Sequence, residues 1–147
     1  MPESNQLHRS PPDRPSRPLV VVSNREPYLH SLAEDGAVTW EPTTGGVAVA
    51  LDALMRERGG VWIAHGAGDA DRRVVDADDR LLVPPDVPIY ALRRIWLTEA
   101  EEQHYYDGFA NEGLWPLCHV AHVKPVFRAA DWRAYQEVNK RFARAVE

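Results

Sequence analysis

The first apolar run of the chain, LVVVS at residues 19–23, is short, unbroken and β-branched, and it stops at Asn24 and Arg25. A run of that kind reads as a strand buried on both faces, which implies a parallel sheet. A polar stretch follows, with Asp35-Gly36 as a turn signal and residues 37–40 as a short strand. After TTGG at 43–46, Val47, Leu51, Leu54 and Met55 recur at helical spacing, Arg56 and Arg58 make a polar last turn, and Gly59 supplies a stop. VWIAH at 61–65 reads as the next strand. Strand, loop, helix and strand in that order form a βαβ unit, whose crossover is right-handed.

Residues 66–88 are Asp-rich and carry prolines, with 72–76 and 81–83 as weak strand candidates and IYALRRIWL at 89–97 as a stronger one. Thr98 and Glu101 make a capping box that opens an acidic helix running to about Asp107. Over YYDGFANEGLWPLCH, residues 105–119, the pattern fixes no secondary structure. If Gly108, Gly113 and Pro116 break the helix there, Tyr105, Tyr106, Phe109 and Trp115 cannot all face one core, and some rings are expected to be exposed. Beside Asp107 and Asn111 they have the make-up of a sugar-binding wall, although a folding core would read the same. Asp131 reads as the cap of a last helix in which Trp132, Tyr135, Val138 and Phe142 share a face. The pattern as a whole predicts an α/β fold with a mostly parallel sheet and flanking helices.

Composition narrows this further. At 147 residues, 44% apolar and 27% charged, the chain has the make-up of an ordinary globular domain, and its apolar runs are too short to span a bilayer. Residues 1–18 hold five of the 12 prolines and little to bury, the make-up of a disordered tail rather than a secretory signal. One cysteine, Cys118, cannot form an internal disulfide, so a cytoplasmic location is expected. A net charge of -5 with scattered Lys and Arg argues against a nucleic-acid partner, and no membrane partner is expected. A homo-oligomer stays open.

Candidate chemistry begins at the mouth of the first helix. Gly45 and Gly46 there offer free backbone N–H groups and the positive end of a helix dipole to a phosphate, although a loop that simply needs glycine conformations would look the same. Arg25 lies past the carboxyl end of the first strand, where open α/β sheets bind ligands, and guanidinium suits a phosphate or carboxylate. Asp69 and Asp71 are a weak metal pair followed directly by arginines, and His119 and His122 lack a third ligand. No metal and no cofactor are expected. No nucleophile elbow, P-loop or Cys-x-x-Cys occurs.

VVVSNREPY at 20–28, TGG at 44–46, VWIAHG at 61–66, the 105–119 stretch and WRAYQEVNKRFA at 132–143 together resemble the amino-terminal part of the trehalose-6-phosphate synthase family. These are retaining glycosyltransferases of the two-Rossmann-domain GT-B architecture. The resemblance implies a partial amino-terminal, acceptor-side Rossmann-like domain over 19–147. It implies transfer of glucose from UDP-glucose to glucose-6-phosphate without a metal. It also implies that Arg25 holds the acceptor phosphate, that Tyr106 and Trp115 line the acceptor sugar site, and that Gly46, with Gly45 beside it, lies against the donor diphosphate.

Where the family commonly has Trp-x-Gly-Trp, this chain has Trp62-Ile63-Ala64-His65. An imidazole near the acceptor phosphate opens the alternative of another phosphorylated acceptor, such as glycerol-3-phosphate. The chain stops before the family's carboxyl-terminal, donor-binding domain, so no catalytic residue is expected within it, and the 147 residues alone are expected to be inactive, with an unpaired sheet edge. A non-catalytic, sugar-phosphate-binding remnant is the remaining alternative.

Overall fold

The computed structural model of the chain describes residues 18–119 and 122–147. The Pro-rich tail expected over 1–18 lies outside the described residues, Pro18 apart. Strand β1 (Val20–Arg25) leads into a hairpin of β2 (Tyr28–Leu32) and β3 (Val38–Pro42), then helix α1 (Gly46–Arg58) and strand β4 (Val61–His65). A 3-10 turn (Asp71–Arg73), strands β5 (Arg80–Val83) and β6 (Tyr90–Ile95), and helix α2 (Glu99–Glu102) follow. The helix continues with π geometry over Gln103–Leu114, passes into α3 (Trp115–Cys118), and the chain closes with α4 (Ala129–Val146).

The main sheet has the order β1-β4-β6-β5, parallel except for β5, which pairs antiparallel with β6. The crossover β1–α1–β4 is the expected βαβ unit, with the β2–β3 hairpin inserted into it. Register sets the two faces of the sheet. Val21, Trp62 and Leu92 align and pack with Tyr28, Met55 and Tyr90 on the α1 side, whereas Ile63 and Ile95 meet Tyr105, Val138 and Phe142 on the α4 side.

Several expectations change. The run at 19–23 is not buried on both faces: Val20 and Val22 are 42% and 48% exposed, because β1 is a sheet edge among the described residues and α4 covers β4 and β6. The α1 face is buried only at Met55, since the first turns of the helix overhang a cleft and leave Val47 75% exposed. Residues 72–76 form no strand. The chain turns at Asp71 instead, whose carboxylate and carbonyl are both held by the buried Arg94.

Gly108 and Gly113 do not break the helix. They are points of close approach, where an added Cβ would lie 2.7 Å from Asp131 Cγ and 2.7 Å from Phe127 Cε1. Pro116 sits in the first turn of α3, where its missing N–H costs nothing. Asp131 is not the cap of α4. Arg128 occupies that position, and Asp131, inside the first turn and buried, binds His104 Nδ1 at 2.7 Å and Arg128 Nη1 at 3.1 Å. Tyr105 stacks on Tyr135 and Phe109 packs tilted against it, so these two rings are core while Tyr106 and Trp115 are not.

The capping box forms as expected, with Thr98 accepting from the Glu101 N–H and Glu101 accepting from the Thr98 N–H. Glu101 also takes a two-pronged contact from Arg141, which ties α2 to α4. The Arg141 hydrogen bond, aided by the Thr98 N–H, holds the Glu101 carboxyl down at about 2, below its usual 4.5. The contribution is therefore full above pH 4.5 and is lost as pH falls through about 2. Both groups are partly in water, so replacing Glu101 by Gln is expected to cost only about 1 kcal/mol at pH 7. Denaturant melts at several pH values check this: the gap should close below pH 4.5, and a gap independent of pH would count against the ion pair.

Candidate functional site

The carboxyl end of the sheet is shaped by a bulge. Ser23 pairs with Ala64, and the next pair is Arg25 with His65, so Asn24 has no ladder partner. Ser23 Oγ fixes this kink by donating to the Arg25 carbonyl at 2.6 Å and accepting from Trp62 Nε1 at 2.8 Å. The Arg25 side chain is exposed and has no hydrogen-bond or ion-pair partner among the described residues.

Arg25 lines two adjoining clefts. The first, ≈ 290 Å³, is formed by Ser23, Thr43, Thr44, the Gly45–Ala48 mouth of α1 (residues 45–48) and Trp62. Gly45, at φ 145, turns the chain into the helix, whose first turn has no side-chain cap and no acidic residue. Free N–H groups and the positive dipole end therefore face the cleft, the arrangement that suits an anion. The second cleft, ≈ 240 Å³, is lined by Asn24, Arg25, His65, Glu102 and Tyr106 among others.

His65 is buried at the end of β4, with Nδ1 3.9 Å from Glu102 Oε1. Burial lowers its pKa, against the pull of Glu102 and Asp71, and keeps the imidazole neutral at pH 7. Trp115 is not brought to either cleft. It is 52% exposed and stacks on His119 at 4.3 Å. Arg25, Gly45, Gly46, His65 and Tyr106 thus come together, and Trp115 lies apart.

Beneath the clefts lies a buried ionic network that sequence reasoning missed. Arg94, 1% exposed, donates Nε to Glu26 Oε2 at 2.6 Å and Nη2 to the Tyr28 carbonyl at 2.9 Å, and it pairs with Asp71 Oδ1 at 2.7 Å. Glu26 Oε1 accepts from the Ala67 N–H, and Asp71 accepts from the N–H groups of His30 and Gly68. The network binds the turn after β1 to the turn after β4 and so sets the walls of the second cleft. Arg94 Nη2 also donates to His30 Nδ1 at 2.8 Å, which agrees with the lowered pKa that burial and Arg94 give this histidine. Burial pushes the Glu26 carboxyl up, against the pull of Arg94. A signal was present: Tyr90, Leu92 and Arg94 share one face of β6, and an arginine on a core face requires buried carboxylates.

The Asp69–Asp71 pair is likewise engaged within the protein, Asp69 accepting from the Leu32 N–H. Among the described residues no group of three His, Cys, Asp or Glu side chains is arranged to hold a metal ion, and no helix is long and apolar enough to cross a membrane.

Glycosyltransferase family 20 matches residues 17–147. The trehalose-6-phosphate synthase of Mycobacterium avium (strain 104) is 39% identical over 128 residues, 86% of this chain and 25% of that protein. That of Mycobacterium leprae (strain TN) is 36% identical over 125 residues, 85% of this chain and 24% of that protein. The chain thus spans about a quarter of the length of the relatives it matches. Among solved structures, an alpha,alpha-trehalose-phosphate synthase (UDP-forming) from Burkholderia vietnamiensis superposes with TM-score 0.59 at 26% identity, over 88% of this chain and 24% of that one. An E. coli structure bound with UDP-2-fluoro glucose superposes with TM-score 0.57 at 25% identity, again over 88% of this chain and 24% of that one. The fold matches the amino-terminal part of their GT-B architecture. Parallel sheet, helix-mouth cleft and matched sequence agree, and the chain belongs to glycosyltransferase family 20.

Proposed function

We propose that residues 19–147 form the acceptor side of a retaining glycosyltransferase that moves glucose from UDP-glucose to glucose-6-phosphate, working in the cytoplasm. The observation that carries this is the position of Arg25, a guanidinium without a partner among the described residues on the wall shared by two clefts. In the first cleft, the α1 mouth with Gly45 and Gly46 receives the donor diphosphate, whose departure needs fixed positive partial charge. In the second, Arg25 holds the acceptor phosphate and Tyr106 flanks the acceptor sugar. Trp115 is assigned to the acceptor sugar by family resemblance alone.

The names of the relatives support the chemistry. One solved relative is named as UDP-forming, another is bound with UDP-2-fluoro glucose, and the product the relatives are named for is a phosphorylated disaccharide, which supports a UDP-linked glucose as donor and a sugar phosphate as acceptor. The remaining groups that stabilise the leaving UDP belong, on this reading, to the roughly three quarters of the relatives' length that this chain does not span. The lone Cys118 fits a reducing compartment.

A second reading has an observation of its own. His65 lines the acceptor cleft with a neutral, buried imidazole where the family commonly has a tryptophan, and this altered wall supports another phosphorylated acceptor such as glycerol-3-phosphate. The test is to compare transfer rates with glucose-6-phosphate and glycerol-3-phosphate in the complete protein, together with calorimetric binding of each to the 147-residue chain. Preference for glucose-6-phosphate in both supports the first reading and preference for glycerol-3-phosphate the second. Binding of either one without any transfer by the complete protein would leave a sugar-phosphate-binding remnant.

A further inference from the structure

The second cleft holds a carboxylate that the proposed roles do not use. Glu102 is half-exposed, lines the same ≈ 240 Å³ space as Arg25, and has no hydrogen-bond donor among the described residues, His65 Nδ1 standing off at 3.9 Å. Asn24 lines the same space, and its Oδ1 is buried without a hydrogen-bond partner among the described residues. The terminal amide torsion of asparagine is soft, so this acceptor can turn toward a ligand. One cation and two acceptors lacking donors, in a cleft the size of one small molecule, describe a ligand with an anion at one end and O–H donors at the other. An ionised carboxylate accepts hydroxyl hydrogen bonds strongly and repels a second negative charge.

Resting on the acceptor reading above, we propose that Glu102 is a specificity-determining residue of the acceptor site: it accepts hydroxyl groups of a monophosphorylated polyol or sugar and rejects phosphates that carry a second anionic group. Glu102 sits on the opposite element from Arg25, on α2 rather than β1, so the two charges read different ends of the ligand. His65 stays uncharged beside Glu102 at neutral pH and does not cancel its charge. Asn24 adds a neutral acceptor at the β1 bulge. The cost of juxtaposed like charges gives the discrimination its size, about tenfold or more.

The experiment is calorimetric binding of glucose-6-phosphate, 6-phosphogluconate and methyl phosphate to the full chain, as wild type, Glu102→Gln and Arg25→Ala. 6-Phosphogluconate carries a carboxylate at the end remote from its phosphate. Its acyclic form changes affinity too, so the quantity read is the change in the ratio of the two sugar-derived ligands between wild type and Glu102→Gln. That ratio is expected to fall at least fivefold, by weaker glucose-6-phosphate and stronger 6-phosphogluconate binding, while methyl phosphate changes less than threefold. Glu102 is half-exposed and Gln is isosteric, so an unchanged melting temperature is expected and checks the fold. An unchanged ratio, with Arg25→Ala weakening all three ligands, would overturn the role of Glu102 and leave the acceptor reading intact. Absence of glucose-6-phosphate binding to wild type, or binding insensitive to Arg25→Ala, would overturn both.

Discussion

Replacing Arg94 by methionine is expected to cost about 3–5 kcal/mol of unfolding free energy, because it leaves the buried Asp71 without its counter-charge and forces the buried Glu26 to take up a proton. Glu26 and Asp71 are 2% and 0% exposed, and no other cation is paired with Glu26 among the described residues. The loss is a large share of the ~5–15 kcal/mol that holds a domain together, and a thermal midpoint lower by roughly 10–20 °C should register it. Adding Glu26→Gln to Arg94→Met should recover little, less than about 1 kcal/mol, since burial already favours the neutral Glu26 carboxyl once Arg94 is gone and Gln keeps an oxygen for the Ala67 N–H. An Arg94→Met cost below about 1 kcal/mol would mean that water reaches the carboxylates and that the network does not set the turns.

The second large effect belongs to ligand binding. Arg25→Ala should weaken glucose-6-phosphate binding to the chain by roughly 10–100-fold, the size of a charge-assisted contact of about 1.5–3 kcal/mol. Methyl phosphate should lose affinity to a similar degree, because Arg25 reads the phosphate and not the sugar. Arg25→Lys should fall between, keeping the charge and losing the planar fork. Stability should hardly change, since the exposed side chain has no partner among the described residues to lose. Titration calorimetry with a melting curve for each variant decides it. Equal affinities across the three proteins would remove the phosphate role.

These two residues illustrate how unevenly the site could be read from the chain. Arg25 was legible because an arginine that ends a β-branched run must emerge where α/β sheets bind ligands. Gly45 and Gly46 were legible because glycines before a periodic helix mark an uncapped N-terminus. Arg94 was hidden in IYALRRIWL, since a strand pattern reveals the face on which a residue lies but not the carboxylates of distant segments that meet it there. Glu102 looked like one acid among several in a capped helix, and only the packing of α2 beside β4 turned it toward Arg25.

The sequence by itself determined β1, β4 and β6, helix α1, the capping box and the α/β class, though not β2, because periodicity, caps and turn residues act over a few positions along the chain. Tertiary structure alone decided the rest. Whether Gly108 and Gly113 break a helix or admit a neighbour depends on the first turn of α4 and residues 126–127 before it passing within contact distance. Whether β1 is buried on two faces depends on what lies beyond the sheet edge. Whether Asp71 belongs to a metal pair or an ion network depends on an arginine 23 positions away. Such contacts join residues far apart in sequence, and no local preference encodes them. Folding selects them because a buried charge must find its partner or leave the core.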